Sequence, residues 1–138
     1  MTGKELKENI IASIDGAQWQ QLKSGTLDIP VSEHNRKVLL ELAESLDDFT
    51  GDICSDDVEK LSSEVYKFLK EVWAEEPEAH KFVVLSCLAL TFLKKIPMHP
   101  KEKVNYREVV REDGEREFFC AHKTDSVICN FCVAKKEV

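Results

Sequence analysis

The stretch Ile96-Pro97-Met98-His99-Pro100 constrains this chain more than any other, because two prolines three residues apart cannot continue a helix. Before it, apolar residues recur at helical spacing. After it, the pattern becomes that of strands, turns and clustered cysteines. The chain is therefore expected to be an α-helical body over residues 1–95 followed by a small module of different construction over residues 96–138.

Within the body, Leu6, Ile10, Ile11, Ile14 and Ala17 mark one helical face behind Thr2 as a cap, and Asp15-Gly16 weakens the end of that helix. Residues 23–30, which include Gly25 and Pro30, read as a connector. Ser32 then has the character of an N-cap. Val38, Leu39, Leu42, Ala43, Leu46 and Phe49 form the buried face behind it, and Gly51 is a stop signal. Ser55-Asp56-Asp57-Val58-Glu59 opens another helix, with acidic residues at the positive end of its dipole. Its apolar stripe runs through Val58, Leu61, Val65, Phe68, Leu69 and Val72 to Trp73. Pro77 restarts the chain. The segment 78–94 is apolar nearly all round its middle, which predicts the central helix of the bundle.

Beyond the prolines, Tyr106-Arg107-Glu108-Val109-Val110 and Arg116-Glu117-Phe118-Phe119 flank Glu112-Asp113-Gly114-Glu115. Asp-Gly between two strand-like runs signals a hairpin, since glycine accepts the positive φ of a primed turn. The fold class expected is mainly α: a bundle of about four helices, then a β-hairpin and a zinc-knuckle-like Cys/His module packed on it. No internal repeat or low-complexity segment is visible.

At 138 residues the chain is long enough to bury a core without disulfides. Residues 1–93 carry 9 basic and 18 acidic side chains, residues 94–138 carry 10 and 8, and the net charge is −7. An acidic body with a slightly basic tail argues against bulk electrostatic binding to nucleic acid. The first nine residues are charged and polar, unlike a signal peptide. The longest apolar stretch, residues 82–93, falls well short of the ~20 residues that cross a bilayer. A cytoplasmic protein with no membrane association is expected, so its five cysteines are better explained by metal, redox chemistry or burial than by disulfides.

Three of those cysteines fall within thirteen residues, as Cys120-Ala121-His122, a six-residue spacer and Cys129-Asn130-Phe131-Cys132. Two intervening residues let both thiolates of a Cys-x-x-Cys turn face one centre, the recurrent half-site of structural zinc. A strand ending at Cys120 supplies a third sulfur. The fourth ligand is His99, which would fasten the tail to the body from its Pro-flanked loop, or alternatively His122. An iron–sulfur cluster could use the same donors. A dithiol pair at Cys129 and Cys132 is disfavoured, since the motif is not expected to open a helix after a strand. The bland alternative packs three reduced cysteines against Phe118, Phe119 and Phe131.

The remaining reactive residue types carry weaker signals. Cys87 reads as a small core residue, Cys54 as an isolated thiol, and His34 and His80 as surface or satisfied core histidines. Asp47/Asp48, Asp56/Asp57 and Glu75/Glu76 are sequence neighbours at helix ends, where capping explains them better than acid–base work. No glycine-rich phosphate loop, Ser/His/Asp order or His-Glu-x-x-His motif is present, so no catalytic residues are assigned.

The Pro-Met-His-Pro element, the aromatic pair before Cys120 and the terminal Ile128-Cys129-Asn130-Phe131-Cys132-Val133-Ala134 together resemble the domain-of-unknown-function family 2115, found mainly in methanogenic archaea. The resemblance is specific in the last forty-five residues and general over the helices. It implies an archaeal cytoplasmic setting, favours His99 over His122 as fourth ligand, and implies no activity. The function expected is a non-enzymatic, metal-binding adaptor or regulatory protein, zinc being the metal. It would dock a protein or ribonucleoprotein partner through a knuckle carrying Tyr106 and Phe131 as exposed aromatics. The rival expectation is a redox protein, iron–sulfur protein or small enzyme acting at Cys120, Cys129 and Cys132.

Overall fold

The computed structural model describes residues 1–104 and 106–137, and of Glu102 the backbone alone. The last residue of the expected tail module, Val138, lies outside the described residues.

The chain begins with α1 (Gly3–Ala12) and α2 (Gly16–Ser24). Thr2 and Glu5 close a capping box at the start of α1, with Thr2 Oγ1 accepting from Glu5 N at 3.1 Å and Glu5 Oε1 accepting from Thr2 N at 3.1 Å. The break expected at Asp15-Gly16 is present, but it starts a second helix where the sequence pattern suggested only a connector further on. Asp15 is the reason: its carboxylate accepts from Gln18 N at 2.8 Å and caps α2. Gly25 ends α2 in the left-handed region at φ 74°.

Ser32 caps α3 (Glu33–Glu44), accepting from Asn35 N at 3.1 Å. The helix stops earlier than its apolar pattern suggested. Ser45 leaves it in extended conformation, φ −66° and ψ 137°. Past that point helical spacing no longer applies, so Leu46, expected on the buried face, is 98% exposed. Phe49 turns back at positive φ and sits against Gly3, where a built Cβ would come within 2.4 Å of its carbonyl oxygen. Only glycine allows that approach.

The body is completed by α4 (Ser55–Val72) and α5 (Pro77–Leu88), which continues through a π-helical turn, Ala89–Lys94. The expectation for residues 78–94 holds: Ala79, Phe82, Val84, Leu85, Leu88, Ala89, Leu90 and Leu93 are buried, and α5 packs on both α3 and α4. His80 is a satisfied core histidine, its Nε2 lying 2.8 Å from the Trp73 carbonyl oxygen. The stripe on α4 is narrower than expected. Leu61, Val65 and Leu69 are buried, whereas Phe68 is 50% and Val72 57% exposed.

After Pro100 come a short helix, α6 (Lys101–Val104), and the expected hairpin of β1 (Arg107–Val110) and β2 (Arg116–Cys120). Arg111 N donates to Glu115 O at 2.8 Å, so three residues span the turn rather than two, with Gly114 at φ 86°. A loop and a five-residue helix, α7 (Val127–Phe131), then return the chain as β3 (Lys135–Lys136), parallel to β2. The result is a mainly helical protein with a three-stranded sheet, in the order β1-β2-β3, at its C-terminal end. Among the described residues, no helix is long and apolar enough to cross a membrane.

Candidate metal centre

Each candidate ligand is delivered by a different local device. Cys120 ends β2 and is held there by Glu137 N, which donates to its carbonyl at 3.1 Å. Ser126 caps α7, its hydroxyl accepting from Cys129 N at 3.1 Å. Thr124 Oγ1 accepts from Ser126 N at 3.3 Å and donates to Cys129 Sγ at 3.4 Å. Cys132 follows directly as the C-terminal residue of that turn, its N–H donating to the Ile128 carbonyl at 3.3 Å. The Cys-x-x-Cys motif therefore lies across a short helix that follows a strand, a correction to the sequence expectation. Thr124 and Ser126, in the polar stretch between Cys120 and Val127, form the cap that makes this possible.

His99 comes from the Pro-flanked segment, and Lys123 braces the tail by donating to the carbonyls of Cys132 and Ala134. Cys120, His122, Cys129, Cys132 and His99 line one small pocket of about 70 Å³, together with Met98 and Ile128. All five sequence candidates thus share a cavity although they come from separate segments. They do not form a ready ligand set: among the described residues, no group of three or more His, Cys, Asp or Glu side chains is arranged to hold a metal ion.

The electrostatics of the pocket differ from one thiol to the next. Burial opposes ionisation of Cys129, but hydrogen bonds from Ser126 and Thr124 and the charge of Lys123 outweigh it, holding that thiol below its ordinary pKa. Cys87, on α5, is pushed the other way: burial, with Cys132 nearby as the second cause, raises it to about 12. Loss of hydration, then the charge of Lys103, keeps His99 below the usual histidine range, favouring the neutral imidazole that can ligate a metal. Cys54 stands apart, exposed at the start of α4.

The two aromatics expected to be exposed are not. Phe131 is half-buried and meets Phe92 of the π-helical turn edge-on at 6.3 Å, fastening α7 to the body. Tyr106 is half-buried against Phe118, with ring centroids 5.6 Å apart. What the sequence did not disclose is a second, much larger cavity beside the first. A groove of about 1030 Å³ runs between α3, α4, α5 and the tail. Met98, His99, Ile128 and Cys129 belong to the walls of both. His34, read from sequence as unremarkable, lines this groove, as does the half-exposed Phe68.

Fold and site together define a mainly helical protein whose C-terminal Cys/His segment folds back onto its central helix. The profile of the family described as "Uncharacterized protein conserved in archaea (DUF2115)" matches residues 5–137, and the chain belongs to that family. No curated protein and no solved structure was found to match it.

Proposed function

We propose that the protein is a non-enzymatic zinc-binding adaptor. Cys120, Cys129, Cys132 and His99 take the ion, with His122 as the alternative fourth ligand, and the tail so fastened meets a protein partner. The observation that carries this reading is the shared pocket, which all five residues line. Thiolates and a neutral imidazole are the donors zinc prefers. An iron–sulfur cluster is the alternative cofactor for the same residues. Closing the ligand set needs side-chain rotation, and a staggered change of χ1 carries a cysteine sulfur by about 3 Å. Lys123, already beside Cys129, offsets part of the negative charge that three thiolates bring to one ion. The net charge of −7 favours a protein partner over nucleic acid.

The test is metal analysis of the purified chain, counting zinc and iron. One zinc per chain is expected, lost in Cys132→Ser, weakened in His99→Ala and kept in His122→Ala. A chain that carries no metal, and takes up none when zinc is supplied, overturns the proposal. Partner capture that weakens steeply with salt would point to RNA instead.

A redox protein or small enzyme at Cys120, Cys129 and Cys132 has one observation in its favour. His99 and Cys129 are common to the small pocket and the groove, so a reacting molecule in the groove would meet them. Alkylation of metal-free protein near neutral pH separates the two. Reaction at Cys129 much faster than at Cys54 supports the enzyme reading, and equal rates remove it.

A further inference from the structure

We infer that the groove between α3, α4, α5 and the tail is a binding site for a small amphiphilic carboxylate, an acidic head on an apolar body. This goes beyond the adaptor reading and does not depend on a bound metal. At about 1030 Å³ the groove is at the upper end of the range that encloses drug-sized molecules. Its size alone leaves the occupant open. The lining is what selects one.

The apolar part of the wall is made by Phe68 and Leu69 of α4, Val83 of α5 and Ile128 of α7. Phe68 is the telling residue. It is a large aromatic a little over one turn from the end of an 18-residue helix, yet 50% exposed, between Val65 and Leu69 that turn inward. Covering that ring removes apolar surface from water, which is favourable at about 25 cal/mol per Å². An apolar body seated in the groove does so.

The charged part of the wall is positive. Lys37 of α3 and Lys103 of α6 line the groove, and Glu33 is the one carboxylate among its described lining residues. Neither lysine is in an ion pair among the described residues, unlike Lys94, which pairs with Glu41 on the same body. In a chain of net charge −7, a groove lined by two ammonium groups against one carboxylate favours an anion by sign. Thr124 and Ser126 add hydroxyls at the tail side. An acidic head finds the two lysine cations on the groove wall, while a cationic head would lose water and gain repulsion.

The experiment is calorimetric titration of the full chain, zinc-free and zinc-loaded, with decanoate, decylamine and decanol below their micellar concentrations. Decanoate is expected to bind at least tenfold tighter than decylamine in both preparations. Lys37→Gln with Lys103→Gln should weaken decanoate about tenfold and leave decanol unchanged, whereas Phe68→Ala should weaken both. All three residues are exposed enough for the variants to fold, which far-UV circular dichroism checks. Equal binding of decanoate and decylamine, no binding of decanoate, or discrimination that survives the double lysine variant overturns the inference. Absence of zinc from the protein would sink the adaptor proposal and leave this one standing, since Lys37, Lys103 and Phe68 are not ligands.

Discussion

Replacing Phe131 with alanine should loosen the tail from the body without unfolding the body. Phe131 ends α7, a helix of five residues that is far too short to be stable alone. Its ring packs edge-on against Phe92 at 6.3 Å, and with Ile128 it joins the edge of the main core. Truncating a fully buried phenylalanine costs about 3–5 kcal/mol. Phe131 is half-buried, so roughly half of that applies, and the aromatic pair contributes about 0.5–1.5 kcal/mol within it. A loss of about 2 kcal/mol in local docking is the expectation, equivalent to a roughly 30-fold rise in the open population. The assay is native-state hydrogen exchange at the Asn130 and Cys132 amides, which donate to Ser126 O at 3.0 Å and Ile128 O at 3.3 Å. Both should exchange about 30-fold faster while amides inside α5 keep their protection. If α5 and α7 lose protection together, Phe131 belongs to the global core and the tail is not a separately docked unit.

The packing of the body sets five further outcomes. Gly3→Ala should cost about 1–3 kcal/mol in a thermal melt, since its Cβ would meet Phe49 O at 2.4 Å and Phe49 Cβ at 2.7 Å. Gly16→Ala, with nothing within 4 Å, should be neutral or slightly stabilising. Leu42→Ala, at 1% exposure, should lose about 2–5 kcal/mol, and Leu46→Ala, at 98%, less than about 0.5. The hydrogen bond from Lys94 holds the Glu41 carboxyl below its ordinary pKa. Its contribution is therefore present above the unfolded carboxylate value and lost as pH falls through the lower folded value. Because the pair is exposed, Glu41→Gln should flatten the acid limb of the stability curve by only about 0.5 kcal/mol.

The parts of this fold legible in sequence are those set by contacts close along the chain. Pro97 and Pro100 end the helical body, Ser32 starts α3, and Asp113-Gly114 closes the hairpin, because each acts on its own neighbours. Asp15 was read as an ending and is a beginning, since one carboxylate looks the same in sequence whether it terminates one helix or caps the next. Leu46 and Phe68 fit the apolar period yet stand in solvent. Periodicity says which face an apolar residue shares, not how far the helix runs or whether another element arrives to cover it. The pocket was foreseeable from the spacing of Cys120, Cys129 and Cys132, whereas the groove was not. Its walls come from α3, α4, α5 and two parts of the tail, and no short-range pattern records that Lys37 and Lys103 line the same groove.

The tail has little burial with which to hold itself together. Among its described residues only Pro97, Phe118 and Ala134 are fully buried, β3 has two residues, and the Arg107–Glu137 and Lys135–Glu117 pairs are exposed enough to add little. Two sources can supply the remainder: docking through Ile128 and Phe131, and an ion shared among Cys120, Cys129, Cys132 and His99. They are separable because they act on the same open state from different sides. An ion that binds only the closed tail at a hundredfold excess over its dissociation constant adds about 2.7 kcal/mol, which exceeds the docking energy removed in Phe131→Ala. Zinc should therefore return the Asn130 and Cys132 amides of that variant to native exchange or slower, and should do nothing in a Phe131→Ala, Cys132→Ser double variant. Zinc that leaves the single variant's exchange unchanged would mean that the pocket's sulfurs do not close on an ion and that apolar docking alone orders the tail.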